Sequence, residues 1–164
     1  MKADSVRPRK EDPLEEYLSA LEQAYVLYRE ELDECLKKRK PTDGLLGFGR
    51  TVGDEPCHDR LDERLAQAVD EICRRTPSPG EADRAVRTLL RDDLSSWHPA
   101  AQWMLRAAER HAIGLIPFLD AADAKKLLAE YNSRYKRWDR LPAQKKVFQA
   151  LKNRSAASPE KASR

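Results

Sequence analysis

PLEEYLSALEQAYVLYREELDECLKKRK, at residues 13–40, carries the clearest periodic pattern in this chain of 164 residues. Its apolar side chains recur at alternating steps of four and three residues, and this spacing places them along one face of an α-helix. The members of this seam are Leu14, Leu18, Leu21, Tyr25, Tyr28, Leu32 and Cys35. The pattern predicts a single helix of about 25 residues.

Residues at both ends of this segment favour the same helix. Pro13 suits the first helical turn, where a backbone N–H has no partner within the helix. Glu15 and Glu16 stand at the positive end of the helix dipole, and the basic residues 37–40 stand at its negative end. Pro41 cannot continue a helix, so we expect the helix to end before it.

Two interpretations of the seam remain open at this point. Tyr17 and Ala24 widen the apolar stripe on one side and Leu36 widens it on the other, which is typical of a helix packed inside a bundle. A narrow seam over about three heptads would instead suit a two-stranded coiled coil and a homodimer. We expect the bundle, with the dimer as the alternative.

Five further segments have helical patterns. One covers about 56–75, with Cys57, Leu61, Leu65, Ala68 and Ile72 on one face. The next is expected to extend to Leu94 after a capping box, in which Ser78 is the N-cap and Glu81 the third helical residue. A fourth covers about 99–113, closed by Gly114 as the residue after the helix.

The last two helices lie in the C-terminal third of the chain. Asp120 is predicted to cap the fifth, whose apolar stripe is Leu128, Tyr131, Tyr135 and Trp138. Pro142 is predicted to begin a short sixth helix. Because no segment alternates with a period of two, we expect an all-α fold: one bundle domain of five or six helices over 13–153, a flexible arm at 1–12 and a disordered tail at 154–164.

The region after the first helix is unusual because residues 44–53 contain four of the six glycines. Glycine disfavours regular structure, yet Leu45, Leu46, Phe48 and Val52 are too apolar for a free linker, so we expect an ordered Gly-rich loop on the bundle. The sequence of residues 44–51 differs at one position from the motif of a phosphate-binding loop. They lack the strand before that motif and the helix after it, so we predict no nucleotide and no other cofactor.

The composition excludes several classes of protein. Charged residues make up 36% of the chain and the mean hydropathy is −0.79. The chain has no run of about 18 apolar residues, so we predict neither a membrane span nor a membrane partner. The three cysteines are widely spaced and odd in number, which argues against a disulfide framework and indicates a reducing compartment. We therefore expect a cytoplasmic protein.

Three side chains are the candidates for chemistry. Cys57 and His58 begin the second helix, where a helix dipole and an imidazole can favour a thiolate, and His111 lies on the apolar side of the fourth helix. Against a dyad, consecutive residues of a helix point about 100° apart, and Cys57 lies on the apolar stripe. The histidines and cysteines have no metal-ligand spacing, so no metal site is predicted.

Charge is distributed unevenly along the chain. Residues 11–36 hold nine acidic residues and one arginine, a net charge of −8, whereas residues 131–164 hold ten basic and two acidic residues, a net charge of +8. Basic residues mixed with aromatic ones are compatible with phosphate contacts and base stacking, although the aromatics recur at a spacing that would bury them. The candidate partner-binding residues are Arg134, Lys136, Arg137, Arg140, Lys145 and Lys146.

These observations favour a protein–protein interaction or scaffold module without catalysis. Its partner would be an acidic protein or a second copy of the chain. The first alternative is a nucleic-acid-associated protein that uses the basic C-terminal helices. The second is a small-molecule binder or enzyme with a pocket near Cys57 and His58.

Overall fold

A computed structural model of the protein describes residues 12–38, 56–91, 99–134 and 142–157. These residues form six α-helices and contain no strand, which confirms the predicted all-α class. The helices are α1 (Pro13–Lys38), α2 (Pro56–Arg74), α3 (Pro79–Leu89), α4 (Pro99–Leu115), α5 (Ala121–Arg134) and α6 (Pro142–Ser155). The predicted Gly-rich loop at 44–53 and most of the predicted arm at 1–12 lie outside the described residues.

The seam of α1 forms one wall of the core. Leu14, Leu18, Leu21, Tyr25, Tyr28 and Leu32 are all buried, and Cys35 at the end of the seam is half-buried. Helix α1 packs most extensively on α2 and also contacts α3. Because the seam is covered by helices of the same chain, a second copy of the chain would have to bind another surface. The packing thus follows the bundle interpretation.

Helices α2 and α3 follow their sequence patterns closely at the start of each helix. The whole predicted face of α2 is buried. At α3, the Ser78 Oγ accepts the Glu81 N–H at 3.2 Å and the Glu81 carboxylate accepts the Ser78 N–H at 2.9 Å, so the predicted capping box is present. Its predicted end at Leu94 is wrong. The helix ends at Leu89, because Leu90 leaves the helical conformation and its N–H closes the last turn on the Val86 carbonyl.

The end of α4 also differs from the prediction. Gly114 lies inside the helix and not after it, since α4 continues to Leu115 and is followed by a 3-10 helix at Ile116–Phe118. Leu115 and Ile116 are buried, so continuing the helix places both in the core. The solvent-exposed Gly114 is tolerated there at a cost of about 1 kcal/mol relative to alanine.

The two C-terminal helices pack on each other. The Asp120 carboxylate accepts the Asp123 N–H at 2.7 Å, which confirms the predicted cap of α5. The buried stripe of α5 is Ala124, Leu127 and Tyr131, and Leu128 is only half-buried. Tyr135 and Trp138 lie outside the described residues. Helix α6 continues to Ser155, so the predicted tail starts too early, at 154.

One connected core joins all six helices. Helix α4 lies at its centre, because it contacts α1, α2, α3, α6 and the 3-10 helix. Within the ranges that the structure describes, no helix is long and apolar enough to cross a membrane.

Candidate functional site

Cys57, the candidate nucleophile, is a core residue. It lies in the first turn of α2 with 0% of its surface exposed, on the same stripe as Leu61 and Leu65. A solvent-borne electrophile cannot reach a thiol in this position unless the helix opens. The geometry therefore fits the role of a small apolar side chain.

His58 lies between an aromatic ring and a hydroxyl group. Its ring stacks on Trp103 of α4 with centroids 4.0 Å apart and planes 12° apart, and its Nδ1 lies 2.8 Å from the Tyr28 hydroxyl of α1. Burial raises the pKa of Tyr28 well above its usual value, and neighbouring Cys57 raises it further, so the hydroxyl keeps its proton at neutral pH. This arrangement joins α1, α2 and α4 at one point.

His111 belongs to a second polar contact between α2 and α4. Its Nε2 lies 3.0 Å from the Asp62 carboxylate, which also accepts a hydrogen bond from Arg110 at 2.9 Å. The imidazole is half-buried, and the carboxylate satisfies it at the rim of the core. The contact links α2 and α4 at the rim of the core.

A shallow cleft of about 170 Å³ separates these two contacts. Its walls are His58, Asp59, Leu61, Asp62, Trp103, Arg106, Ala107 and Arg110. The Arg106 guanidinium lies over the Trp103 ring at 5.5 Å, and Arg110 is paired with Asp62. The cleft thus has two basic and two acidic side chains beside an aromatic floor, a set that could orient a small polar ligand. In the described part of the chain no three potential metal ligands come together.

The burial of the cysteines leads to a prediction on thiol reactivity. We expect Cys57 to react with a water-soluble disulfide reagent at least about 100-fold more slowly than a free thiol, because it is exposed only when α2 opens. Cys35 and Cys73 are half-buried and should react first, with Cys73 slowed because burial raises its pKa. Peptide mapping of the modified protein would assign the three rates. A fast Cys57 would contradict the packing and restore the reactive-thiol hypothesis.

The acidic residues of α1 are paired with the middle of the chain. Glu31 binds Arg64 at 2.6 Å and Arg60 at 3.2 Å, both on α2. Glu15 pairs with Arg84 and Glu22 lies 3.8 Å from Arg91, so α3 and the residues after it supply the other partners. Through these pairs, arginines from residues 60–91 offset much of the negative charge of α1.

The predicted partner-binding residues divide into three groups. Arg134 donates to the Leu90 carbonyl at 2.7 Å and lines a depression of about 190 Å³ between α3, α5 and α6. Lys145 and Lys146 are exposed on α6. Lys136, Arg137 and Arg140 lie outside the described residues.

One more lysine, absent from the predicted set, belongs with this surface. Lys152 lies seven residues after Lys145 and is exposed on the same side of α6. Helical periodicity from Lys145 would have found it. We call Lys145, Lys146 and Lys152 the α6 lysine face.

A buried acid was also missed by sequence reasoning. Glu109 of α4 is 0% exposed, and its Oε1 accepts a hydrogen bond from the Tyr131 hydroxyl at 2.8 Å. Burial raises the pKa of Glu109 to about 7, although Tyr131, Gln144 and Arg106 act to lower it. Helical spacing was the available signal, since Glu109 follows the buried Leu105 by four residues and precedes the buried Ala112 by three.

Comparison of the chain with models of known families, with characterised proteins and with solved structures finds no match, so the site residues above are assigned from this chain alone.

Proposed function

We propose that the protein is a non-catalytic helical-bundle interaction module that binds an acidic protein surface through the α6 lysine face. The observation that carries the proposal is the state of these three lysines. All three side chains are exposed, and none of them forms a hydrogen bond or ion pair with a residue that the structure describes. They contrast with the acidic residues of α1, many of which are already paired.

The local charge of α6 supports the same proposal. Residues 142–155 include four basic side chains and no acidic one. Of the four, Arg154 donates to the Leu119 carbonyl and so helps to hold the helix against the end of the 3-10 helix. The side chains of the three lysines have no such contact among the described residues, and their positive potential would steer an acidic surface towards α6.

The choice of a protein partner over a nucleic acid rests on the aromatic side chains. Tyr131 is buried with its hydroxyl on Glu109, and Phe148 is half-buried against the core. Among the described residues these rings are therefore not presented to bases for stacking, the contact that single-stranded nucleic acids require. Lysines also act as point charges, whereas arginine is the residue of choice for bidentate phosphate recognition.

A charge-removal experiment tests the proposal. The triple variant Lys145→Gln, Lys146→Gln, Lys152→Gln should bind a labelled poly-glutamate peptide at least about tenfold more weakly than the wild type at low ionic strength, because each exposed charge contributes up to about 1 kcal/mol. The matched control is Lys37→Gln, Lys38→Gln, Arg74→Gln, which removes the same net charge from exposed positions on α1 and α2. Fluorescence anisotropy measures both.

Each result of this experiment has a defined meaning. An unchanged control together with a weakened triple variant supports the α6 lysine face. Equal losses in both variants mean that only net charge matters, and they contradict the proposal, as does a wild type that does not bind the peptide. If a labelled DNA duplex of the same net charge binds more tightly than the peptide, the nucleic-acid function replaces this one.

A further inference from the structure

The carboxyl group of Glu109 lies where three helices meet. Glu109 projects from α4, Tyr131 reaches it from α5, and the nearly buried Gln144 reaches it from α6. One carboxyl oxygen accepts the Tyr131 hydrogen bond. The other, Oε2, is buried and has no hydrogen-bond donor among the described residues. Burying a carboxylate oxygen without a donor costs more free energy than burying the neutral, protonated carboxyl group.

The surrounding groups do not supply a strong counter-charge. From α5 the titratable neighbour is the neutral Tyr131. From α6 the neighbour is Gln144, whose amide does not titrate, and the adjacent Lys145 and Lys146 are exposed. On α4 itself, the charge of Arg106 lowers the pKa of Glu109, but Arg106 is exposed. In the described parts of α2, α3 and the 3-10 helix, no charged group is paired with Glu109.

We propose that Glu109 is a pH-sensitive contact that controls how tightly α6 packs on α4 and α5. The protonated carboxyl group is compatible with the closed junction. The ionised group would leave its Oε2 buried without a donor among the described residues, so ionisation favours a state in which α6 has moved away and Glu109 is hydrated.

The direction in which pH changes the packing of α6 follows from which state binds the proton more tightly. Burial raises the pKa of Glu109 from 4.5 to about 7 in the closed state. In the open state the hydrated carboxyl group has its ordinary pKa, so between these values the closed state holds a proton that the open state releases. The packing of α6 is therefore tightest in acid and weakens as the pH rises through this range, with little further change above it.

The consequence for binding rests on the proposed function. Because α6 carries the lysine face, loosening the helix would remove the fixed spacing of the three lysines. Binding of an acidic partner would then weaken as the pH rises from about 5 to about 7. The pH-sensitive contact itself does not depend on that function and can be tested without a partner.

Two measurements on the full chain test the contact. In the first, NMR titration of the side-chain carboxyl carbons should show Glu109 with a midpoint near pH 7, well above the ordinary value for glutamate. A Glu109 midpoint in the range of the exposed glutamates would overturn the proposal. This measurement uses the wild type and needs no variant to fold.

The second measurement is hydrogen exchange of the α6 amides, corrected for intrinsic rates. Between about pH 5 and about pH 8, the opening equilibrium of wild-type α6 should increase by roughly 50-fold, while in Glu109→Gln it should change by only a few-fold. The matched control Glu16→Gln, at an exposed position of α1, should behave like the wild type. Equal pH dependence in wild type and Glu109→Gln would overturn the proposal.

The binding consequence has its own readout, which separates the two proposals. If the NMR midpoint and the exchange result are as expected but poly-glutamate binding does not depend on the α6 lysines, the pH-sensitive contact stands and the proposed function fails. If binding depends on the lysines but α6 exchange is independent of Glu109, the function stands and the contact is rejected.

Discussion

Leu21→Ala is expected to lower the free energy of unfolding by about 3 kcal/mol, within the range of 2–5 kcal/mol found for buried leucines. Leu21 lies at the middle of the α1 seam with 0% of its surface exposed, and it faces helices that have few ways to collapse into the space left behind. The loss combines the transfer free energy of the removed methyl groups with the cost of a cavity. Urea denaturation followed by circular dichroism measures it.

The matched control is Leu27→Ala, a half-buried leucine on the same helix, which should lose less than half as much. Protein concentration adds a second control. If the seam packs within one chain, the midpoint of denaturation is independent of concentration. A midpoint that rises with concentration would show that chains associate in the folded state, and would contradict packing of the seam within one chain. A small effect of Leu21→Ala would contradict the burial of Leu21.

Glu109→Gln should stabilise the folded protein by roughly 3 kcal/mol at about pH 8 and by little at about pH 4. At about pH 8 the folded wild type must either bury an ionised carboxylate or bind a proton, whereas at about pH 4 the carboxyl group of the folded state is already protonated. Glutamine has nearly the same shape, and its amide oxygen can still accept the Tyr131 hydroxyl. The measurement is the free energy of unfolding by urea at a series of pH values.

The pH dependence of stability that Glu109 causes is opposite in sign to that of most acidic residues. A carboxylate in an ion pair, such as Glu31 with its lowered pKa, contributes stability at neutral pH that is lost in acid. Glu109 has a raised pKa, so its contribution is full in acid and is lost as the pH rises towards 7. Glu16→Gln, at an exposed site, should change the pH profile very little. A stability gain that is the same at both pH values would contradict the buried ionisation of Glu109.

The helices were predictable wherever local chemistry alone determines them. The α1 seam, the capping box at Ser78 and the cap at Asp120 depend on spacing and on side chains within a few residues, and all three are present. The errors occurred where tertiary packing prevails over a local signal. Gly114 is a typical helix terminator, but burial of Leu115 and Ile116 continues α4 through it.

The polar contacts between helices were less accessible to sequence reasoning. The stack of His58 on Trp103 joins residues that are far apart in the chain, so it depends on how α2 and α4 cross. His111 was expected on the apolar side of the fourth helix, and it lies half-buried there with Asp62 as its partner. Glu109 was one of 28 acidic residues, and only its place between buried neighbours on α4 sets it apart.

The charge pattern of the sequence does not tell whether the acidic first helix contacts the basic C-terminal region. The described residues answer part of this question. Glu15, Glu22 and Glu31 of α1 pair with arginines at residues 60–91, so part of the charge of α1 is used within the bundle. The lysines of α6 have no such partners in the described ranges. The net charge of +3 for the whole chain thus hides a difference among the described residues: several acidic side chains of α1 are paired inside the bundle, whereas the α6 lysines are not.

The choice of helices that pack most extensively on each other also affects how the chain folds. The two most extensive helix pairs, α1 with α2 and α5 with α6, each join helices that are consecutive in the sequence. Closing such local pairs costs little loop entropy, and proteins rich in local contacts fold rapidly. We therefore expect the docking of the two pairs around α3 and α4 to limit the folding rate. Substitutions of α4 side chains in the core should then slow folding more than equally destabilising substitutions within either pair.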